Sequence, residues 1–340
     1  MELIAVTQQV VNNHEVELPT ISNNNRFIEA NTQEVSLNHL RKDCTIPVFA
    51  KDNETTIPHF EFIDAVSSVA QELFSEGTIM MPNIRTSHII KGRIPSAIGK
   101  PAKELLEHEK TIYYERMAFM VEIPEVCTVI NNQKLNLSVG GVRSYSEQNL
   151  FSKKSIEKFK IFIGYKNMVC CNLCIATDGL KDDLRVSSIN ELKSKTLELF
   201  ESYNQELHVD QMSQLQDFTI NQEQFAHLVG KMKLYNHLEN TQKEGLFDLK
   251  TTDSQITTII KNYVDDDNFR ADNKGYINLW NLYNLFTESA KSNYIDNFLS
   301  RNCNTFEFVN HLSKSLKNHE DNYFLQKSEI FYSPAQLNDY

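Results

Sequence analysis

The chain has one tryptophan, six cysteines, eight prolines and ten glycines in 340 residues. It has no run approaching the ~18 consecutive apolar residues that a membrane span requires. The opening stretch "MELIAVTQQVVNNHEVELPT" lacks a basic segment followed by an apolar one, so no secretory leader is expected. The six cysteines, Cys44, Cys127, Cys170, Cys171, Cys174 and Cys303, are too few and too clustered for a secreted disulfide scaffold. They suit reduced thiols, and the expected compartment is the cytoplasm, with no membrane partner. Glycine-based signatures are missing as well. There is no G-x-x-x-x-G-K-[ST], no G-x-G-x-x-G after a strand and no G-x-S-x-G.

Metal and catalytic constellations fare no better. "VCCNLC" holds a C-x-x-C at Cys171 and Cys174, but no second ligand pair follows at zinc spacing. Placed mid-strand, these cysteines read as small buried hydrophobes. In "DDDNFRADNKGYINLW", aligning Gly275 with the glycine of a calcium loop puts Arg270 first, Lys274 fifth and Asn281 last, so three oxygen ligands are missing. Asp178, Asp182 and Asp183 follow a turn, where solvated acids are ordinary. No cofactor or metal is called for, no catalytic residue is assigned, and catalysis is the weakest of three readings.

What is present is an uneven charge. The net charge is -11, yet residues 81–170 contain 14 Lys and Arg against 8 Asp and Glu. Such asymmetry hints at a polyanion partner, or at a basic sheet docked on an acidic helical part of the same molecule.

Residues 1–40 are rich in Asn, Gln, Thr and Glu and read as a poorly ordered arm. "IPHFEFIDAVSSVAQELFSEG" spaces Phe62, Ala65, Val66, Val69 and Leu73 as a helix. A loop and a short helix over 101–109 are expected next. "TIYYERMAFMVEIP" alternates as one strand, with Met117, Phe119, Val121 and Ile123 on its greasy side. "VINNQKLNLSVGGV" reads as a hairpin with an Asn-Asn turn and a kink at Gly140-Gly141. "EKFKIFIGYKNMVCCNLCIATDG" reads as another, turning near 164–167. The fold class is therefore α+β. An antiparallel sheet of about five strands with helices on one face spans 41–185, a mainly helical acidic subdomain spans 186–315, and a tail spans 316–340.

In the helical part, Thr219 and Gln222 suggest a capping box, and a helix capped by Asn278 carries Trp280. That helix is apolar on most sides, as a central one is. Asn281, Asn284, Lys291 and Asp296 would then need partners. Any grip on a ligand would fall to Lys291 and Arg301.

Basic and aromatic residues interleave on the proposed sheet. The candidate nucleic-acid-binding set is Arg116, Arg143, Tyr145, Lys153, Lys154, Lys158, Lys160 and Lys166. Sheet surfaces that hold single strands pair cations for phosphates with rings for bases, each stacked base contributing roughly 1–3 kcal/mol.

The segment "LWNLYNLFTESAKSNYID" resembles the C-terminal signature of phage- and plasmid-like proteins of unknown function. With "TIYYERMAFMVEIP", "LNLSVGGVRSYSEQNLFSKKS", "FKIFIGYKNMVCCNLCIATDG", "QFAHLVGKMKLY" and "KSNYIDNFLSRNCN", the chain is similar to one family of uncharacterised proteins carried by mobile elements, over roughly residues 45–315. It departs at Lys231, Met232 and Lys233, where the family has Arg-Met-Arg, and at Cys171, where the family has Thr. The resemblance implies a setting among mobile genetic elements and transfers no catalytic residue. Two functions are expected from it and from the charge pattern. One is non-enzymatic binding of single-stranded or exchanging nucleic acid through the basic-aromatic sheet. The alternative is a protein-interaction factor that engages a host protein through its acidic helical half.

Overall fold

The computed structural model describes residues 26–44, 56–75, 77–97, 99–147 and 156–325. In chain order the first elements are β1 (Gln33–Glu34), α1 (Leu37–Lys42), α2 (His59–Leu73), β2 (Asn83–Thr86), β3 (Ile89–Arg93) and β4 (Lys110–Tyr114). The long strands follow: β5 (Arg116–Ile130), β6 (Gln133–Ser144) and β7 (Glu157–Asn167), then β8 (Leu173–Cys174) and β9 (Leu180–Val186). The helical part comprises α3 (Ile189–Ser202), α4 (Gln205–Gln214), β10 (Thr219–Ile220), α5 (Gln222–His237), α6 (Asn240–Lys243), α7 (Asp253–Asp265), β11 (Ile277–Asn278), α8 (Leu279–Ala290) and α9 (Ile295–Asn318).

The main sheet is antiparallel, in the order β1-β2-β5-β6-β7-β8, with β9 also paired to β7. The α+β class expected from the sequence is the class observed. The turn between β5 and β6 is the Asn131-Asn132 pair, at φ of 50° and 60°, joining Ile130 to its partner Gln133. Two left-handed residues match the twist of the flanking strands, and Asn tolerates that conformation better than most residues.

Several local assignments shift. "TIYYERMAFMVEIP" breaks at Glu115 into β4 and β5, and only β5 joins the main sheet; β4 pairs with β3 as a separate ribbon. Two short 3-10 turns, Ala102–Glu104 and Glu107–Glu109, replace the helix expected over 101–109. The turn after β7 lies beyond Asn167, with Cys171 at φ 60°, so the C-x-x-C is not mid-strand. The register shift in β5 lies between Ile123 and Cys127, whereas Gly140 and Gly141 sit in regular ladder positions. Their role is close approach: a Cβ on Gly141 would lie 2.4 Å from the Phe62 ring of α2. The capping box of α5 is formed by Asn221 and Gln224, two residues later than expected.

Both faces of the sheet are covered. Odd-numbered Met117, Phe119, Val121 and Ile123 of β5 join Leu135, Leu137 and Val139 of β6 and Phe159, Ile161 and Ile163 of β7 in one cluster with Phe62, Ile63 and Val66 of α2. Even-numbered Ala118, Met120, Val142 and Phe162 join Phe27, Ile28, and Ile295, Phe298 and Leu299 of α9 in a second. Strand alternation assigns residues to faces but does not say what covers each face. The first cluster continues without a break into α3, α5, α7 and α8, so the core crosses the expected boundary at 185.

Residues 26–40, assigned from their composition to a loose arm, pack instead. Phe27 is 2% exposed, Ile28 is fully buried, and β1 pairs β2. Residues 1–25 lie outside the described residues. At the other end Phe324 is buried on Phe308 at 5.0 Å, so order extends into the expected tail; residues 326–340 lie outside the description.

The tryptophan helix is the central one. Ten of the twelve residues of α8 are buried, and its polar groups meet the sheet hairpins. Trp280 Nε1 donates to Gln133 Oε1 at 3.1 Å. Asn131 donates to Asn281 Oδ1, and Asn167 to Asn284 Oδ1, both at 3.1 Å. Asn284 Nδ2 donates to the Trp280 carbonyl, and Asn172 Nδ2 to the Asn284 carbonyl. Trp280, Asn281 and Asn284 thus clamp α8 to two β-turns. Each buried amide gains a partner that solvent would otherwise supply.

Candidate functional site

The candidate nucleic-acid-binding residues divide by strand parity. Arg143, odd-numbered on β6, points toward α2 and is inaccessible. Its guanidinium donates to Glu157 and to the Ile57 carbonyl, and it lies 4.7 Å from the Tyr145 ring centroid and 4.5 Å from that of Phe159. Tyr145 is 2% exposed and packs on the His59 ring at 4.6 Å. Neither residue can meet a phosphate or a base. Their assignment to an open surface is corrected: desolvated, the guanidinium is held by one carboxylate, one carbonyl and two ring faces.

Arg116, Lys158, Lys160 and Lys166 lie on the opposite face, where α9, β5, β9 and the 3-10 turn Tyr145–Glu147 supply carboxylates. Arg116 Nε donates to Asp296 Oδ2 at 2.7 Å, and Lys160 Nζ donates to the Asp296 carbonyl. Glu147 is 3.1 Å from both Lys158 and Lys160. Asp183 and Asp182 complete these pairs at 3.6 and 3.5 Å. Lys166 Nζ meets Glu122 at 2.5 Å. Burial disfavours the charge on Lys158, but its hydrogen bond to Glu147 and the nearby acids outweigh this and raise its pKa. Phe162, the ring between these lysines, is 1% exposed. Lys153 and Lys154 lie outside the described residues. The expected open basic-aromatic face is therefore, wherever it is described, covered or neutralised by the molecule itself.

Lys291 and Arg301 do not form a grip either. Lys291 is 2% exposed, donates to the Cys170 carbonyl and pairs with Glu288 at 2.8 Å. Arg301 Nη1 is held by Asn293 Oδ1 at 2.8 Å.

Beside Arg143 a small cavity is lined by Cys44, His59, Tyr113, Tyr114 and Tyr145. Burial first, then the charge of Arg143, depresses the His59 pKa to about 3, against the favourable hydrogen bond to the Tyr114 carbonyl. Burial and Asp43 push the Cys44 thiol up to about 11. A base near 3 and a thiol near 11 are both mismatched to proton transfer or nucleophilic attack at neutral pH. Cys174 is likewise raised to about 12 by burial. Among the described residues no group of three or more His, Cys, Asp or Glu is placed to hold a metal ion.

The exposed acids of the helical half are more accessible. At the end of α7 and just beyond it, Asp265 and Asp267 are exposed beside Val264, 64% exposed, with Asp272 and Tyr276, 40% exposed, on the returning chain. The turn is well braced. Asp266 accepts from the Asn268 and Phe269 N–H groups, and Asp272 from those of Lys274 and Tyr276. Tyr263 Oη donates to the Gly275 carbonyl at 2.6 Å and stacks on Phe225 at 3.9 Å. Gly275, at φ +81°, takes the left-handed conformation that closes the loop.

Sequence reasoning missed the Arg143–Glu157–His59 cluster. Its only trace was Arg143 among the odd-numbered apolar residues of β6.

No helix among the described residues is long and apolar enough to cross a membrane. No curated protein and no solved structure matches the chain. The model of the family described as "Domain of unknown function, B. Theta Gene description (DUF3871)" matches residues 6–325. With nearly its whole length covered, the chain belongs to that family of domains of unknown function.

Proposed function

We propose that this protein is a non-catalytic interaction factor whose acidic helical half docks on a basic surface of a partner protein. One observation carries this reading: the described cations that would have served a polyanion are engaged inside the molecule, whereas the braced turn after α7 presents carboxylates to solvent. With a net charge of -11, the long-range field of the chain attracts cationic surfaces and repels phosphate backbones. Val264 and Tyr276 supply exposed apolar surface beside the acids. Fixed charge steers encounter, and an apolar centre gives the contact its lifetime.

The resemblance to phage- and plasmid-like proteins supports a setting in mobile genetic elements and a cytoplasmic site of action. The partner would then be a host protein that the element recruits or counters.

The test is affinity capture with wild-type protein and with the Asp265→Lys/Asp267→Lys double variant. One dominant partner is expected, with roughly tenfold weaker association in the variant and sensitivity to salt. Recovery of nucleic acid alone, or capture indifferent to the charge reversal, would overturn the proposal.

A further inference from the structure

The ribbon of β3 and β4 stands apart from the main sheet, and its two outer edges differ. The edge of β4 is bridged at Ile112 by Cys44. The edge of β3 is paired with no other described strand. The register is Ile89 with Tyr114, Lys91 with Ile112 and Arg93 with Lys110. The Ile94 N–H donates to the Glu109 carbonyl at 3.0 Å, immediately beyond the Arg93–Lys110 pair. In an antiparallel ladder this sets the phase. Ile90 and Gly92 turn their backbone groups toward β4, while Ile89, Lys91 and Arg93 turn theirs outward. The bridge from Ile112 to Cys44 agrees with that phase, because Ile112 pairs with Lys91. The three residues with outward backbone groups also carry exposed side chains, whereas Ile90 and Gly92 are half-buried.

We propose that the outer edge of β3 is a strand-addition site for an acidic extended peptide segment. Main-chain hydrogen bonds to Ile89, Lys91 and Arg93 would supply affinity, and side chains at every second position would supply selectivity. Lys91 and Arg93 give this edge a positive face, while Lys110, across the ribbon from Arg93, is paired with Glu107 at 2.5 Å and Arg93 Nη1 also donates to the Lys100 carbonyl. An added strand carrying carboxylates at alternate positions would meet them. A second copy of the chain fits badly. Antiparallel pairing centred on Lys91 would set Lys91 against its own copy, a like-charge contact that destabilises cross-strand pairs. This inference concerns a different surface from the acidic turn and stands or falls separately from it.

The probe is a fluorescein-labelled Glu-Val-Glu-Val-Glu-Val peptide, titrated by anisotropy against the full chain at low salt. A Lys-Val repeat and a labelled oligothymidylate serve as comparisons. Binding of the acidic peptide is expected, with slowed hydrogen exchange at the Ile89, Lys91 and Arg93 amides. Lys91→Pro removes an outward N–H without touching the ladder to β4, and is expected to weaken binding at least tenfold. Lys91→Glu/Arg93→Glu is expected to do the same and serves if the proline variant unfolds. Failure of the peptide to bind, or binding that survives both variants, would overturn the proposal. So would equal binding of the oligothymidylate, or self-association of the chain that Lys91→Pro abolishes.

Discussion

Acidification to pH 5 should remove about 4 kcal/mol of stability through two buried histidines. His59 is 6% and His208 1% exposed, and burial lowers both pKa values from about 6.5 to about 3. His208 is held by a 2.6 Å hydrogen bond between its Nδ1 and Tyr203 Oη, and by the edge of Phe306 at 4.7 Å. Each imidazole stays neutral in the folded chain, while the unfolded chain takes up a proton below about pH 6.5. Stability from these sites is therefore complete above pH 6.5 and is lost as pH falls toward 3. At pH 5 the difference is about 2 kcal/mol per histidine. That is a large share of the 5–15 kcal/mol typical of folded domains.

The assay is urea unfolding at pH 7.5 and pH 5, followed by the fluorescence of Trp280, the chain's single and fully buried tryptophan. His208→Asn keeps a polar partner near Tyr203 but cannot titrate, and should lose about 2 kcal/mol less than wild type between the two pH values. Glu288 and His311 also contribute to the pH dependence. Burial raises the Glu288 pKa despite Lys291, which works in the opposite sense, and burial lowers that of His311, which works in the same sense. Both are unchanged in the variant, so the difference isolates His208. An equal loss of stability in the two proteins would refute the reasoning.

Other substitutions probe the packing. Asn284→Leu should cost about 1–3 kcal/mol in unfolding free energy, because a buried amide hydrogen of Asn167 loses its acceptor while Gln133 keeps the other. Glu157→Ala should cost about 3–5 kcal/mol, seen as a lowered thermal midpoint, because it leaves the Arg143 guanidinium buried without its carboxylate. Gly141→Ala should cost about 1–3 kcal/mol, measured by urea titration, since the added methyl meets Phe62 at 2.4 Å and the Lys160 carbonyl at 2.6 Å.

What could be read from the sequence was local. The 3.6-residue spacing of Phe62, Ala65, Val66 and Val69 specifies α2, Asn131-Asn132 specifies its hairpin, and Asn278 caps α8. The need of Asn281, Asn284, Lys291 and Asp296 for partners was also legible, and each has one. The partners themselves were not. Arg116 meets Asp296 from 180 positions away, and Phe27 reaches Phe298 from the far end of the chain. Period-two alternation in β5 and β7 looks the same whether the second face is open to a ligand or covered by α9. Lysines at Lys158, Lys160 and Lys166 therefore suggested an exposed tract, when carboxylates elsewhere in the sequence were already in place to meet all three.

The central question is whether the sheet face carrying Arg116, Lys158, Lys160 and Lys166 is spent internally. The direct measurement is titration of labelled single- and double-stranded oligonucleotides against the full-length protein at 50 and 200 mM salt. The account predicts no binding by the Arg116, Lys158, Lys160 and Lys166 face at either salt concentration, and no effect of replacing those residues. Tight binding that falls roughly 10³-fold or more between the two salt concentrations, and is lost when Lys158 and Lys160 become Glu, would contradict it.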